Sequence, residues 1–209
     1  MQALEAALTA AGYGPVAGVD EAGRGSCAGP LTAAACILPD REIPELAGLD
    51  DSKRLSPRRR EELFTTITTV AVTWSVVHIP APEIDAEGVS AANYRAMVEA
   101  VAGLGITPGF VLADGFRPVG IQLPCVGCIG GDGRIRAIAA ASILAKVSRD
   151  RLMVELDRDY PGYGFAVHKG YGTQAHMAAV RRHGASPVHR YSYGNVACAQ
   201  AEFGRSVSE

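Results

Sequence analysis

The amino-acid sequence predicts an α/β protein, a mixed β-sheet flanked by helices, with a C-terminal helical extension. Short apolar runs typical of strands come first, strands and segments of helical periodicity then alternate, and helix-forming sequence fills the last third. That order is typical of a mixed sheet with helices on its faces. The chain has 209 residues, of which 48% are hydrophobic and 20% charged, so it is long enough to bury one substantial core.

The first part of the chain predicts three strands and a helix. A short buried strand begins at residue 16 and delivers Asp20 where it leaves the core, and residues 31–38 form a second strand antiparallel to it. Ser56 is a good N-cap for a helix that begins at Pro57 and ends near residue 69. Residues 71–79 alternate as a third strand, which places Trp74 in the core.

The rest of the chain continues the alternation and then becomes helical. Its predicted elements are a helix from Ser90 to Gly105, strands over residues 110–114 and 121–126, a turn at residues 130–133, and helices over residues 134–159 and 174–183. The last dozen residues look frayed. We expect a core domain of residues 1–150 and a helical extension of residues 151–209 packed on it.

The N-terminal sequence and the cysteines indicate the compartment. MQALEAALTAAGYG lacks a basic region followed by an uninterrupted apolar run, and no stretch approaches the roughly 20 apolar residues of a membrane span. Five cysteines, an odd number, give no disulfide framework and suit a reducing environment. We therefore expect a cytoplasmic protein, and a monomer.

Charge is unevenly distributed along the chain. Residues 1–133 carry nine basic and sixteen acidic residues, a net charge of −7, whereas residues 134–209 carry eleven and six, a net charge of +5. An acidic half that holds cations, joined to a basic half that meets phosphates, is what a metal-dependent nuclease needs. The same distribution is also compatible with ordinary surface statistics.

Four acidic residues follow apolar segments or lie in a glycine-rich one. Asp20 and Glu21 end the first strand, Asp114 ends the strand over residues 110–114, and Asp132 lies in a glycine-rich turn. Because ligands of open α/β sheets collect at strand ends, we expect the first three to share one site. Taken singly, each acid is as well explained by a solvated turn.

Carboxylates without an accompanying histidine or cysteine form a hard-oxygen site, which selects Mg²⁺ or Mn²⁺ over zinc. If two ions act, we expect Asp20 to bridge them, with Glu21, Asp114 and Asp132 as further ligands.

The segment after Glu21 is suited to a ligand that approaches the backbone closely. Gly23 and Gly25 give conformational freedom, and Arg24 between them carries a planar donor fork suited to phosphate.

The segment DEAGRGSCAGP resembles the opening motif of the type 2 ribonucleases H (ribonuclease HII). Similar blocks follow in the same order: DSKRLS at residues 51–56, LADG around Asp114, GGD at Asp132, AAASILAKVSRD at residues 139–150 and YGFAVHKGYGT at residues 163–173. The resemblance spans nearly the whole chain and implies a ribonuclease H-like fold with Asp20, Glu21, Asp114 and Asp132 as the four active-site carboxylates. One departure is visible, because the family usually has lysine where this chain has Gly131.

The resemblance also implies how substrate is read. Main-chain atoms of the glycine-arginine-glycine motif, here Gly23, Arg24 and Gly25, contact the 2′-hydroxyl, which is what distinguishes RNA from DNA. A tyrosine that matches Tyr171 stacks under the following sugar, although tyrosine in this position is by itself better explained by packing. Residues in matching blocks that are implied to contact phosphates or orient the site are Lys53, Ser142, Lys146, His168 and Lys169.

The implied reaction is hydrolysis of the phosphodiester on the 5′ side of a ribonucleotide, leaving 3′-hydroxyl and 5′-phosphate ends. The implied substrates are RNA/DNA hybrids and duplex DNA that contains ribonucleotides, with Mn²⁺ or Mg²⁺ as cofactor. A replication factor is a possible protein partner that the sequence does not specify.

The sequence is also compatible with other functions. Cys125 and Cys128 form a C-x-x-C motif, which suggests zinc or redox chemistry, but a second cysteine pair is missing and the motif begins in a strand. Paired carboxylates also occur in glycosidases, and a basic C-terminal half suits a nucleic-acid-binding module without catalysis. A glycosidase would stay active in chelator, and a pure binder would cleave nothing when metal is supplied.

Overall fold

A computed structural model describes residues 3–49 and 52–207. Five strands form one mixed sheet: β1 (Val16–Ala22), β2 (Leu31–Ile37), β3 (Thr73–Ile79), β4 (Phe110–Asp114) and β5 (Cys125–Cys128). Their order across the sheet is β3-β2-β1-β4-β5. β2 is antiparallel to β1, whereas β4 is parallel to β1 and β5 is parallel to β4. The predicted mixed α/β fold is confirmed.

Helices account for most of the remaining chain. They are α1 (Ala3–Leu8), α2 (Pro57–Val70), α3 (Ala81–Glu87), α4 (Val89–Ala102), α5 (Arg136–Asp159), α6 (Phe165–His168), α7 (Gln174–His183) and α8 (Gly194–Val207). A π-helical turn follows α1 at Thr9–Tyr13, and short 3₁₀ turns lie at Pro44–Leu46 and Gly131–Gly133. None of the helices in the described part of the chain is both long and apolar enough to cross a membrane.

The chain divides into two compact units. The first contains residues up to Ala22 together with Thr32–Val77 and Asn93–Val147, and the second contains Gly23–Leu31, His78–Ala92 and the residues from Ser148 onward. The first unit therefore holds most of the sheet and the start of α5. The second holds the segment after β1 together with α6, α7 and α8.

Close packing of β1 on α5 sets the geometry of the first unit. A Cβ atom added to Gly18 would lie 2.1 Å from the carbonyl carbon of Ala137, so only glycine allows this approach. The facing part of α5 is correspondingly rich in buried alanine, including Ala139, Ala140 and Ala141. The result is that the strand bearing Asp20 and the helix bearing Ser142 run side by side.

Several predicted boundaries agree with the structure. Ser56 caps α2 by accepting a hydrogen bond from the backbone N–H of Arg59, with Pro57 as the first helical residue. β4 has the predicted bounds. α7 also has its predicted bounds and ends at Gly184. These segments carry strong local signals, a cap or an uninterrupted apolar run, and so they were readable from sequence.

Other predictions were wrong. β5 begins at Cys125 instead of residue 121, because residues 115–124 form bends and turns without strand pairing. Trp74, placed in the core by its alternation, is 39% exposed and packs its edge against Phe64 at 6.4 Å between ring centroids. α3 is missing from the predicted elements; Pro82 stands in its first turn, where proline is tolerated. In place of a frayed end, the structure has α8, which buries Val196 and Ala199.

Candidate active site

Asp20 lies inside β1, two residues before its end, and only 5% of its surface is exposed. The sequence predicted that it emerges where the strand leaves the core. The strand instead extends to Ala22, because β1 pairs with β2 through Ala22 and Thr32. One carboxylate oxygen, Oδ1, accepts a hydrogen bond of 2.7 Å from the backbone N–H of Glu21. Asp20 is therefore a buried acid fixed to its own strand.

Asp114 approaches Asp20 from the neighbouring strand β4, and Asp132 from the turn after β5. β4 is parallel to β1 with Ala113 opposite Val19, so Asp114 follows at the next step along the pair. The turn after β5 then folds back: the backbone N–H groups of Gly131 and Asp132 donate to Oδ1 of Asp114 at 2.8 and 3.3 Å. The predicted turn is a 3₁₀ turn that buries Asp132.

The three aspartates form one cluster. Asp20, Asp114 and Asp132 each offer a carboxylate oxygen, and these oxygens all lie within 4.8 Å of one another. Among the described residues, no other set of three or more His, Cys, Asp or Glu side chains has this spacing. The strands thus bring together three of the four predicted carboxylates.

Electrostatics in this cluster favour a cation. Burial raises the pKa of Asp20 well above its ordinary value, and the negative charges of Glu21 and Asp114 raise it further. Hydrogen bonds from Ser142 and from the Glu21 backbone only partly oppose this shift. Several carboxylates that cannot ionise cheaply together are relieved by a divalent ion, and an all-oxygen donor set suits Mg²⁺ or Mn²⁺. The residues present therefore fit such an ion.

Glu21 is close enough to Asp20 to influence its ionisation, but it is not one of the three clustered acids. Successive side chains of a strand point to opposite faces of the sheet, so the side chains of Asp20 and Glu21 lie on different faces. Glu21 is also half-buried, whereas Asp20 is buried. Its predicted role as a ligand stays a prediction.

Polar groups of the first unit surround the cluster. Lys53, which is exposed, places Nζ 3.8 Å from Oδ2 of Asp132. Ser142 on α5 contacts Asp20 and lies 2.9 Å from the hydroxyl of Ser52, oxygen to oxygen. Lys146 follows Ser142 by about one helical turn and is half-buried. Lys53 and Ser142 therefore contact the carboxylate cluster directly.

Gly131 occupies the place where the family usually has lysine. A Cβ atom added there would lie 2.6 Å from Cδ1 of Ile138 and 3.1 Å from Cβ of Cys128. The Gly131 N–H also donates to Asp114, so the turn approaches β4 closely. A larger residue would require Ile138 to move, and in this chain Lys53 supplies a cation beside Asp132.

In the second unit, the glycine-arginine-glycine segment is tied to the Tyr171 loop. The backbone N–H groups of Cys27 and Ala28 both donate to the carbonyl of Gly170, at 2.9 and 3.2 Å. Gly23 has a φ of +83°, and a Cβ atom there would lie 1.9 Å from Nε of Arg149. A Cβ atom on Gly25 would have no heavy atom within 4 Å. Gly25 therefore faces open space, whereas Gly23 is required by packing.

Two buried arginines hold this segment in place. Arg190 donates to the carbonyls of Gly23, Arg24 and Gly29 at 2.8 to 3.2 Å. Arg149 donates to the carbonyls of Ala28, Pro30 and Lys169 at 2.8 to 3.1 Å. Burial lowers the pKa of Arg149 to about 10 and also lowers that of Arg190. Sequence reasoning missed both, because nothing in the local pattern distinguishes a buried arginine from a surface one.

The remaining predicted substrate residues lie in the same loop. Tyr171 is 43% exposed, with the Arg149 guanidinium 6.0 Å from its ring centroid. Nε2 of His168 lies 2.8 Å from the carbonyl oxygen of Tyr163, and Nδ1 accepts from the Gly170 N–H at 3.2 Å. Nζ of Lys169 donates to the carbonyl of Ala166. His168 is thus occupied in orienting the loop, while the Tyr171 ring is accessible.

The C-x-x-C motif does not form a metal site in the described structure. Cys125 and Cys128 are free thiols on β5, and burial raises the pKa of both. Neither joins a group of potential metal ligands within the described residues. The described structure therefore does not support a zinc site or a redox site at these cysteines.

Stability in the absence of metal tests the electrostatic account of the cluster. Because the pKa of Asp20 is raised on folding, its contribution to stability is full below the unfolded value of about 3.9 and is lost as pH rises through the folded value. In chelator at pH 8 we expect Asp20→Asn to melt higher than the wild type, by about 2–4 °C per kcal/mol of relieved repulsion. The difference should shrink between pH 8 and pH 5, as followed by thermal unfolding. A difference that grows on acidification would contradict the account.

The mixed sheet and its three clustered carboxylates are the arrangement that the sequence predicts for a metal-dependent nuclease with a ribonuclease H-like fold. A family model described as Ribonuclease HII matches residues 17–196. Ribonuclease HII of Rhodococcus opacus is 59% identical over 197 residues, which cover 94% of this chain and 87% of that protein. The chain belongs to the ribonuclease HII family, metal-dependent endoribonucleases that cleave RNA in RNA/DNA hybrids.

Solved structures agree with this assignment. Ribonuclease H2 from Pyrococcus horikoshii has a TM-score of 0.77 and 26% identity, covering 91% of this chain and 99% of that one. The ribonuclease HII of Archaeoglobus fulgidus, solved in complex with PCNA, has a TM-score of 0.70 and 26% identity, covering 85% and 94%. The match therefore extends over nearly the whole fold.

Proposed function

We propose that the protein hydrolyses the phosphodiester on the 5′ side of a ribonucleotide, both in RNA/DNA hybrids and at single ribonucleotides embedded in duplex DNA. The products would carry 3′-hydroxyl and 5′-phosphate ends, and the biological role would be removal of ribonucleotides from DNA. The observation that carries the proposal is the convergence of Asp20, Asp114 and Asp132, distant in sequence, within 4.8 Å.

Asp20, Glu21, Asp114 and Asp132 would hold Mn²⁺ or Mg²⁺. A bound divalent ion of this kind stabilises charge on a phosphoryl oxygen and makes water a better nucleophile. The chain's own contribution is to fix the ligands: the Gly131 and Asp132 N–H groups orient Asp114, and Ser142 orients Asp20. No side-chain nucleophile is required.

Residues of the second unit would recognise the substrate. Main-chain groups of Gly23, Arg24 and Gly25 would contact the 2′-hydroxyl, which both donates and accepts hydrogen bonds. The exposed ring of Tyr171 would stack on the following sugar. Support comes from the hydrogen bonds that tie these two segments together through Gly170. Residues that would contact phosphate or orient the site are Lys53, Ser142, Lys146, His168 and Lys169.

Substitution of Gly25 tests the proposed substrate recognition without disturbing the fold. Because a Cβ atom at Gly25 meets nothing within 4 Å, Gly25→Ala should melt within about 2 °C of the wild type. The added methyl group should nevertheless obstruct the ribose, so we expect kcat/KM to fall by about tenfold or more. Gly23→Ala is the contrast, since it must displace Arg149 and should lower the melting temperature. Full activity of Gly25→Ala would remove this glycine from substrate recognition.

The function itself is tested with three duplexes: DNA with one ribonucleotide, all-DNA and all-RNA. Each is incubated with the protein in Mn²⁺ or Mg²⁺, with and without chelator, and the ends are mapped. We expect cleavage only at the ribonucleotide, on its 5′ side, and only with metal. Binding without cleavage would indicate a nucleic-acid-binding module, and activity on glycosides in chelator would indicate a glycosidase.

Further predictions concern organisation and partners. The Archaeoglobus fulgidus relative was solved with PCNA, and a replication factor is the protein partner that we propose for this chain. We also propose that the protein is monomeric and cytoplasmic, with a core of residues 1–150 and a helical extension of residues 151–209.

A further inference from the structure

Two histidines of the second unit are buried side by side and have no part in the function proposed above. His176, at the start of α7, and His189 are both inaccessible to solvent. Their Nε2 atoms lie 3.0 Å apart. Nδ1 of His176 lies 2.9 Å from the carbonyl oxygen of Tyr171, and Nδ1 of His189 accepts from the backbone N–H of Ser186 at 2.9 Å. The four groups form a continuous chain of hydrogen bonds.

The partners at each end fix where the protons lie. The Ser186 N–H can only donate, so Nδ1 of His189 is bare and its proton is on Nε2. The Tyr171 carbonyl can only accept, so His176 carries its proton on Nδ1 and leaves Nε2 bare. His189 therefore donates to His176, and His176 donates to Tyr171. Both rings are neutral in this arrangement, and burial, which lowers the pKa of each to about 4, keeps them neutral.

The hydrogen-bond chain ends on the residue whose ring is exposed. Neighbouring carbonyls of the loop are also occupied: Lys169 accepts from Arg149, and Gly170 accepts from the N–H groups of Cys27 and Ala28. His168 stacks on His176, with 4.2 Å between ring centroids. The main chain of Tyr171 is thus held from inside the unit while its side chain remains free to meet a ligand.

We propose that His176, oriented by His189, is a positioning residue that fixes the Tyr171 ring as a platform for the sugar next to the ribonucleotide. The proposal rests on the substrate role given to Tyr171 above. His176 does not touch substrate. It acts by holding the Tyr171 carbonyl, which keeps the loop ordered before substrate binds. Stacking on the Tyr171 ring then loses less conformational entropy.

Two substitutions separate this role from simple packing. In His176→Asn the amide nitrogen can occupy the place of Nδ1 and donate to the Tyr171 carbonyl, but the link to His189 is lost. In His176→Gln the longer amide reaches the place of Nε2 and keeps the link to His189, but the donor to Tyr171 is lost. Both variants remove the same ring, so they should lose similar thermal stability.

The measurement is kcat and KM on a DNA duplex with one ribonucleotide, in Mn²⁺ or Mg²⁺, for both variants with Tyr171 intact and with Tyr171→Ala. We expect His176→Gln to lose about tenfold in kcat/KM, mostly through KM, and His176→Asn to stay within about threefold of wild type. With Tyr171→Ala the two should become equal, because the coupling acts through that ring. Equal losses with Tyr171 intact, or a difference that persists without its ring, would overturn the proposal.

A second pair of variants, at His189, covers the case in which neither His176 substitution folds. His189→Gln keeps a donor for Nε2 of His176 and loses only the acceptor for Ser186, so it should keep KM within about threefold of wild type. His189→Leu removes that donor, and we expect KM to rise about tenfold. An unchanged KM in His189→Leu would overturn the proposal. Failure of the wild type to cleave any ribonucleotide-containing duplex would instead overturn the proposed function.

Discussion

Replacing Asp20 by asparagine is expected to reduce cleavage of a ribonucleotide-containing duplex by about 10³-fold, at the upper end of what loss of one preorganised electrostatic group costs. Asp20 is the most buried of the three clustered acids, and its carboxylate has Asp114 and Asp132 on neighbouring elements. Asparagine has the same shape but carries no charge, so a divalent ion loses a central ligand. Cleavage is measured at saturating Mn²⁺ and Mg²⁺.

The control for this variant is Asp40→Asn, an exposed acid outside the cluster, which should retain full activity. Folding of Asp20→Asn is expected to be intact, because neutralising a buried carboxylate removes repulsion from Glu21 and Asp114. Circular dichroism and thermal unfolding check this. An active Asp20→Asn enzyme would exclude Asp20 from catalysis, and an unfolded one would show that its role is structural.

Replacing Arg190 by methionine is expected to destabilise the protein by about 3–5 kcal/mol. Arg190 is fully buried and satisfies the carbonyls of Gly23, Arg24 and Gly29. Methionine has a similar apolar stem but no donor, so the Gly29 carbonyl would lose both of its hydrogen bonds from Arg190, and the carbonyls of Gly23 and Arg24 would keep only those from the Ser26 N–H and the Tyr193 hydroxyl. We expect the midpoint of denaturant unfolding to fall and cleavage to be lost, because the glycine-arginine-glycine segment loses its support.

Arg182→Met provides the matched control, since Arg182 lies exposed on α7 and its loss should cost at most about 0.5 kcal/mol. Arg190→Lys tests the geometry. One ammonium group cannot reproduce the planar fork that reaches three carbonyls, so the lysine variant should recover only part of the stability. If Arg190→Met unfolds at the same denaturant concentration as Arg182→Met, the segment is held in another way.

Much of the fold was readable from sequence because its signals are local. β4 is an uninterrupted apolar run with an acid at its end, and α7 has a threonine cap and a terminal glycine. Candidate metal ligands could also be predicted, since acids at or near the ends of neighbouring strands meet at one edge of a sheet. Asp132 was assigned to the same site only by the resemblance to a family, because it lies on a turn and hydrophobic periodicity does not predict where a turn lies in the fold.

What the sequence did not show depends on contacts between distant segments. The burial of Asp20 follows from pairing of β1 with β2 through Ala22. The support of the glycine-arginine-glycine segment comes from Arg149 and Arg190, which lie more than 100 residues later in the chain. His176 and His189 lack metal-ligand spacing, so nothing in the sequence distinguishes them from surface or capping residues. Their role is visible only when the Tyr171 carbonyl and Ser186 are placed beside them.

The most direct test of the central claim is the anomalous scattering of crystals soaked in Mn²⁺. The claim is that Asp20, Asp114 and Asp132 form a divalent-metal site, and we expect a manganese peak within about 2.0–2.3 Å of their carboxylate oxygens, with none at this place in crystals of Asp20→Asn. Manganese bound only elsewhere, or bound equally well in the asparagine variant, would contradict the account.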